Sequence, residues 1–448
     1  MIRIFSIVIP ARIFTLFISE IVILFACYAG SAYADPDIED VNIFLLYDSG
    51  FFRVGIAVLF VVLGLFFANL YSDVRIRSRL ALLQSLCMIF GAAIFGQGLL
   101  SYLKPEWLIP RKMMLGGTIL AALVLFGWRL LFDRAAQHAV AAGTVLFLGM
   151  SPTVAKILHH FNAHPELGLT AMGYLEGAGS GAPPGIKRLG EMEDLGAVLD
   201  HAVPNSIVIG NRDDIRPWWT DEFLTLRFSG VQVQEAGTLY ERIFARKSVT
   251  DLWPSNTIFN RHGEPGSVSI GLQSVYSWVT AVFVMAITLP LTLASALLIK
   301  LSSRDSVLTT ETRVGLNGTP FEAYRFRSTG RNGEYTRIGR FLQRRGLVWL
   351  PQLLNVLKGQ MAIVGPRPER PLFDRRMHDL IPVYGLRNRV KPGVTGWARI
   401  HRKPGDRQDS VKDFEYDLYY LENLSPLMDF FIMLLSLKRV DRAGDSVA

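Results

Sequence analysis

Leu350-Pro-Gln-Leu-Leu-Asn-Val-Leu-Lys-Gly359, Val364-Gly-Pro-Arg-Pro-Glu-Arg-Pro371 and Val390-Lys-Pro-Gly-Val-Thr-Gly-Trp397 follow one another late in this 448-residue chain. Arg367 stands between Pro366 and Pro368. Two prolines stiffen a turn, and a guanidinium presents a planar fork of donors, so this turn suits holding a phosphate. Glu369 and Arg370 come next, and Arg344, Arg345, Arg387, Arg389 and Lys391 add positive charge around the three runs. For any one of these cations, contact with a membrane surface or an ion pair stays open. Upstream lie Arg313-Val-Gly-Leu-Asn-Gly and Tyr324-Arg-Phe-Arg-Ser, which contributes Arg325 and Arg327. Val348 and Trp349 directly precede the first run.

Half of the residues are hydrophobic and the net charge is +8. That balance excludes an ordinary soluble domain and points to a membrane protein with sizeable polar parts. The excess of cations suits anionic lipid heads and anionic substrates, and no nucleic acid partner is expected. Cys27 and Cys87 both lie in apolar stretches, which argues against a disulfide framework or a metal cluster. Four apolar stretches, roughly 11–33, 51–71, 82–103 and 113–132, approach the length that crosses a bilayer core of ~30 Å. Ala32-Tyr33-Ala34 resembles a cleavage site, but the long first stretch, its Glu20 and the spans that follow favour a retained helix. Glu20 is expected at a helix end or in an inter-helix polar contact. Arg3 and Arg12, then Arg75, Arg77 and Arg79, then Arg129 and Arg134 mark the cytoplasmic side. The acidic first loop fits the outside, the 104–112 loop is a weak exception, and the chain re-enters the cytoplasm near residue 135.

Residues 144–250 change character. Val145-Leu-Phe-Leu-Gly-Met, Leu169-Thr-Ala-Met-Gly-Tyr-Leu, Ser206-Ile-Val-Ile-Gly and Val231-Gln-Val-Gln-Glu read as strands, and Val154, Ile157, Leu158 and Phe161 read as one helix face. Strands alternating with helices predict a parallel, Rossmann-like sheet. The first turn, Gly149-Met-Ser-Pro-Thr-Val, lacks the glycine spacing that brings backbone close to a pyrophosphate, so a scaffold is favoured over a nucleotide site. His159, His160 and His164 read as a solvated helix end. Gly177–Pro184 reads as a turn-rich loop. A fifth apolar run covers 276–301 and contains Thr288 and Pro290. Pro426–Val440 is apolar with one basic end, and either the membrane interface or a buried packing position accounts for it.

The ordered runs from Arg313 to Trp397 resemble the bacterial sugar transferases, the polyprenyl-phosphate phosphoglycosyl transferases. The layout is similar to the large four-span forms of exopolysaccharide systems, including those linked to exosortases. The resemblance implies an α-helical membrane protein plus α/β: four transmembrane helices in 1–135, a Rossmann-like α/β domain in 144–250 and a linker in 251–274. A re-entrant membrane helix in 275–303 and a mainly α sugar-transferase domain in 304–448 complete it. The re-entrant helix implies a break at Thr288 and Pro290, since proline frees a carbonyl that a nearby hydroxyl can satisfy. The implied place is the bacterial inner membrane, with the C-terminal domain cytoplasmic.

The implied activity is transfer of hexose-1-phosphate from a UDP-sugar to undecaprenyl phosphate, at the start of exopolysaccharide biosynthesis. In that family an Asp attacks the donor phosphate and a Glu helps hold Mg2+, so one hard displacement becomes two easier ones. Arg325, Arg327, Arg367, Glu369 and Lys391 are the implied phosphate-binding residues. The dyad positions here are Val348 and Trp349, which offer neither nucleophile nor metal ligand. Thr329, Thr309-Thr-Glu-Thr and Arg399-Ile-His-Arg depart from the family's usual runs as well. Two readings follow. One is a transferase that uses Mg2+ and another carboxylate, with Glu369, Asp374, Asp406 and Asp409 as candidates. The other is an inactive relative that serves as a binding or assembly subunit beside other polysaccharide-assembly proteins, a homo-oligomer being open in either case.

Overall fold

The computed structural model describes residues 2–4, 7–9, 11–35, 38, 40–68, 70–71, 78–138, 143–164, 169–176, 186–210, 219–250, 267–302, 306–330, 334–402 and 409–440. The Gly177–Pro184 loop, Asp406 and most of the 251–274 linker lie outside these residues. The chain divides into two compact units, residues 1–4 with 8–141, and 5–7 with 142–448. Among the described residues, five helices are long and apolar enough to cross a membrane.

Four of those five build the first unit: α1 (Ala11–Ala32), α2 (Gly50–Phe67), α3 (Arg79–Leu103) and α4 (Arg111–His138). Leu24, Tyr28, Val54, Val61, Leu86 and Leu125 form the interior. Val22, Leu59, Met88, Phe95 and Leu123 face outward, an apolar exterior that suits lipid rather than water. A Cβ on Gly117 would stand 2.5 Å from the Tyr28 ring, so the glycine permits the close approach of α1 and α4. The buried Glu20 carboxylate meets the Arg129 guanidinium at 2.7 and 3.1 Å, and Arg129 also donates to the Leu70 carbonyl. Glu20 is thus an inter-helix contact, its charge neutralised where isolated charge is costly.

In the second unit, β1 (Gly143–Leu148), β2 (Leu169–Glu176), β3 (Arg188–Glu191), β4 (Ser206–Ile209) and β5 (Gln232–Glu235) form a parallel sheet in the order 3-2-1-4-5. Along β1, Val145 and Phe147 enter one core while Leu146 and Leu148 enter the other, as the two-residue period of a strand requires. The helices α5 (Pro152–Ala163), α6 (Leu195–His201), α7 (Trp219–Phe228) and α8 (Ala236–Phe244) cover the two faces. The edge strand β3, Arg-Leu-Gly-Glu, has no apolar run and escapes a pattern reading. The Ser151 hydroxyl caps α5 by accepting from Val154 N at 3.2 Å, with Pro152 at the first helical position. A Cβ on Gly210 would lie 2.3 Å from the Gly149 carbonyl oxygen, so backbone fills the mouth between β1 and β4.

Helix α9 (Ser267–Ser302) is one helix with Pro290 inside it. Thr288 Oγ1 donates to the Val284 carbonyl at 2.8 Å. Proline at 290 releases the carbonyl of Ala286, so the expected rescue by Thr288 goes one residue pair astray: the hydroxyl reaches back four residues from its own position. Beyond α9 come the hairpin β6 (Leu308–Val314) and β7 (Pro320–Phe326), α10 (Arg337–Arg344), a 3-10 turn Leu347–Trp349 and α11 (Gln352–Leu357). Then follow β8 (Ala362–Val364), α12 (Pro371–Leu380), β9 (Gly393–Thr395), α13 (Trp397–His401), α14 (Ser410–Glu422) and α15 (Pro426–Val440). Buried Asn355 ties α11 to the hairpin: its Oδ1 accepts from Tyr324 N at 3.0 Å and its Nδ2 donates to Glu322 O at 2.7 Å. In α15, Met428 and Ile432 are core while Phe430 and Leu437 are exposed, so one face packs and the other stays apolar and uncovered.

Candidate functional site

Strands β8 and β9 pair in parallel, Ala362 with Gly393 and Val364 with Thr395. The turns leaving them cross backbone on backbone. A Cβ on Gly393 would fall 2.1 Å from Gly365 N, and one on Gly396 would fall 2.2 Å from Gly365 O. Any side chain there would force the turns apart, which explains glycine in both runs. The crossing makes the floor of a cavity of about 220 Å³. Arg313 from β6, Trp349 and Gln352, Arg367 and Glu369, Arg387, Arg399 and Arg402, and Asp413 and Asp417 from α14 supply its polar and aromatic lining. Five arginines against three carboxylates leave an excess of positive charge.

Most of these charges hold one another. Arg387 is buried; its Nη2 meets Asp417 Oδ2 at 2.9 Å and donates to the Arg367 carbonyl at 2.8 Å, while Nη1 reaches Tyr384 Oη and lies 3.9 Å from Glu369. It staples the proline turn to α14. Arg313 Nη1 donates to Pro368 O at 3.0 Å, and Arg402 pairs with Asp413. Burial pushes the Asp417 carboxyl up to about 7, Asp413 and Glu369 add to the rise, and Arg387 opposes it.

Arg367 is different. Its side chain lines the cavity and is exposed to solvent. Among the described residues none accepts a hydrogen bond from its guanidinium. Partial desolvation holds it below the ordinary arginine range, with Arg402 and Arg313 acting the same way and Glu369 and Asp413 opposing. An anion in the cavity would relieve that frustration, because it supplies the acceptor and the counter-charge together.

The cavity collects Arg367 and Glu369, and not the other expected phosphate ligands. Arg325 lies 3.8 Å from Glu311 on the hairpin, Arg327 donates to Ser306 at 3.1 Å, and Lys391 donates to Ser274 of α9 at 3.1 Å. The hairpin register turns Arg325 toward β6 rather than into the cavity. The two dyad positions part company. Trp349 lines the cavity, whereas Val348 is fully buried with Ile299, Phe326 and Leu342. Of the alternative carboxylates, Asp374 faces a separate open groove beside Asn388, and Asp409 caps α14. Sequence reasoning gave Arg402, Asp413 and Asp417 no site role, reading Arg402 only as the end of a departing run; the i, i+4 spacing of the two aspartates on a helix was the signal.

The profile of the bacterial sugar transferase family matches residues 269–442. The chain is 30% identical over 269 residues to the UDP-N-acetylgalactosamine-undecaprenyl-phosphate N-acetylgalactosaminephosphotransferase of Aeromonas hydrophila, covering 56% of this chain and 62% of that protein. It is 29% identical over 323 residues to the UDP-glucose:undecaprenyl-phosphate glucose-1-phosphate transferase of Xanthomonas campestris pv. campestris, covering 66% of each. It is 37% identical over 179 residues to the exopolysaccharide production protein PSS of Rhizobium leguminosarum bv. phaseoli, covering 36% of this chain and 88% of that protein. The chain therefore spans somewhat under two thirds of the first two relatives and most of the third. It belongs to the bacterial sugar transferase family.

Proposed function

We propose that this chain works at the start of exopolysaccharide biosynthesis, where it binds a UDP-sugar and undecaprenyl phosphate without passing through a covalent phospho-sugar at position 348. It acts there as a binding and assembly subunit beside other components of that machinery. The observation that carries this reading is the split dyad: an arginine-lined cavity persists while position 348 is a valine sealed in an apolar cluster. The relatives named for transfer from UDP-sugars to undecaprenyl phosphate support the ligands. Magnesium does not fit the residues present. The Trp349 side chain offers no oxygen ligand to a hard cation, Asp413 and Asp417 are each paired with an arginine, and Glu369 lies 3.9 Å from Arg387. The arginines would carry the phosphate charge instead.

A second reading has one observation in its favour: Glu369, Asp413 and Asp417 all line the cavity, and a carboxylate there could attack. One experiment separates the two. The full chain in nanodiscs, in EDTA and then in magnesium, is titrated with UDP-glucose and assayed for UMP release with undecaprenyl phosphate. Binding without metal and no UMP release are expected. Arg367→Gln should weaken that binding about tenfold to a hundredfold, the worth of one or two charge-assisted hydrogen bonds, with the melting temperature nearly unchanged. UMP release by the unmodified protein, above a control lacking lipid, would overturn the binding-subunit reading.

The topology belongs to the same proposal: four spans in the inner membrane, α9 re-entrant at Pro290, and the C-terminal domain cytoplasmic. A straight helix of 36 residues would be about 54 Å long, well beyond the ~30 Å core. Residues on both sides of Pro290 rest on one domain. Gln273 donates to Val364 O and Asp429, Ser277 accepts from Ile363 N, and Ile299 packs with Phe326 and Leu342. Both ends of α9 on one face of the membrane account for that. With Cys27 and Cys87 replaced, Leu272→Cys and Leu301→Cys should both react with an impermeant maleimide in inside-out vesicles only. Labelling from opposite faces would rule out re-entry.

A further inference from the structure

Helix α14 has two working faces. Asp413 and Asp417, four residues apart, look into the cavity. Glu415, Tyr419 and Glu422 lie on the opposite side of the helix, as a 3.6-residue period demands. That second face is held by the end of the parallel-sheet domain. The buried Glu415 carboxylate accepts from Tyr240 Oη at 3.0 Å and lies 3.4 Å from Arg246 Nη1. Its backbone carbonyl accepts from Lys247 N at 3.0 Å, and Lys247 pairs with Glu422. The neighbouring helix α13 is pinned by the same segment, since Trp397 Nε1 donates to Ala245 O at 2.8 Å. Trp397 in turn stacks on Tyr419 with ring centroids 5.6 Å apart, and the Arg402–Asp413 pair joins α13 to α14 on the cavity side.

We propose that residues 240–249 of the parallel-sheet domain are a positioning element for the cavity: they set where α13 and α14 place Arg399, Arg402, Asp413 and Asp417, and so set the affinity for a phosphate-bearing ligand. Tyr240 and Arg246 touch no cavity atom; they act through Glu415. A shift of the sheet domain would move Glu415, and with it the two aspartates that lie two residues to either side on the same helix. By linkage the effect runs both ways, so a ligand in the cavity must stabilise the 240–249 contacts by the same factor. The affinity statement rests on the phosphate-binding reading of the cavity; the positioning statement does not.

The test uses the full chain in nanodiscs, with Tyr240→Phe, Glu415→Gln and Arg246→Lys beside the unmodified protein. UDP-glucose affinity and backbone amide exchange are read together. Glu415→Gln should weaken binding about tenfold and Tyr240→Phe about threefold, in the range of an ordinary net intramolecular hydrogen bond. Arg246→Lys keeps the charge but loses the guanidinium stacked over Tyr240, Phe244 and Tyr416, and should weaken binding about threefold. Exchange in the ligand-free variants should rise at 398–402 and 411–417, with the melting temperature of Tyr240→Phe little changed. In the unmodified protein UDP-glucose should slow exchange at 245–249. Unchanged affinity and unchanged exchange in Tyr240→Phe and Glu415→Gln would overturn the proposal, and Tyr240→Phe alone decides it should Glu415→Gln not fold. No UDP-glucose binding by the unmodified protein would instead sink the reading of the cavity, while ligand-free exchange would still decide positioning.

Discussion

Val348→Asp is expected to lower the stability of the C-terminal domain by about 3–5 kcal/mol at neutral pH, the cost of an uncompensated buried charge, and to yield no UMP release. Val348 is fully buried, and its neighbours Ile299, Phe326 and Leu342 offer no hydrogen bond. A carboxylate placed there must either ionise in an apolar setting or stay protonated, and both are costly at pH 7. Its pKa would be raised, so below about pH 4, the ordinary carboxylate range, only the cost of burying a neutral carboxyl remains, and the charge-dependent part is added as pH rises. Thermal unfolding at pH 5 and pH 8 reads this directly: the loss should be greater at pH 8. A variant as stable as the parent at pH 8, or one that gains UMP release, would show that position 348 can turn toward the cavity and would refute the sealed-valine account.

Arg387→Met should be as damaging by a different route. It strands the buried Asp417 carboxylate, frees the Arg367 carbonyl and removes the cation beside Glu369. About 3–5 kcal/mol is the usual cost of breaking a buried pair from one side. The pH sense follows from Asp417. Its folded pKa, about 7, stands above the unfolded one. The stability from its proton is therefore complete below the unfolded carboxylate value and is lost as pH rises toward about 7. Without Arg387 that pKa climbs further, so the variant should be much weaker than the parent at pH 8 and closer to it at pH 5. Arg387→Met with Asp417→Leu should regain most of the stability, since the unpaired charge is gone, yet bind UDP-glucose poorly because the proline turn has lost its staple. A single variant as stable as the parent at pH 8 would contradict this, as would a double variant no better than the single one.

Both expectations concern side chains whose direction was hidden in the linear chain. Pattern reading found the long apolar helices, four of the five parallel strands and the family, because these follow from periodicity and from runs such as Gly365-Pro-Arg-Pro. It missed β3, whose Arg-Leu-Gly-Glu carries no apolar signal and which holds the sheet edge through pairing with β2. It placed Arg325 and Arg327 in the phosphate cradle on motif position, whereas the antiparallel register of β6 and β7 sends Arg325 toward Glu311. Asn355, inside the 350–359 run, is a structural clamp on the hairpin, which the run alone does not reveal.

The chain by itself determined that position 348 carries no nucleophile, that the cation-rich runs survive, and that several segments are apolar enough for a bilayer. Those conclusions need only residue identity and local period. Tertiary structure alone decided which cations share a cavity, that Val348 and Trp349 face different surroundings, and that α14 carries cavity aspartates on one side and the 240–249 segment on the other. Such facts depend on where segments far apart in sequence meet. Arg387 with Asp417, or Tyr240 with Glu415, become partners only when the core closes, and no local rule encodes that meeting.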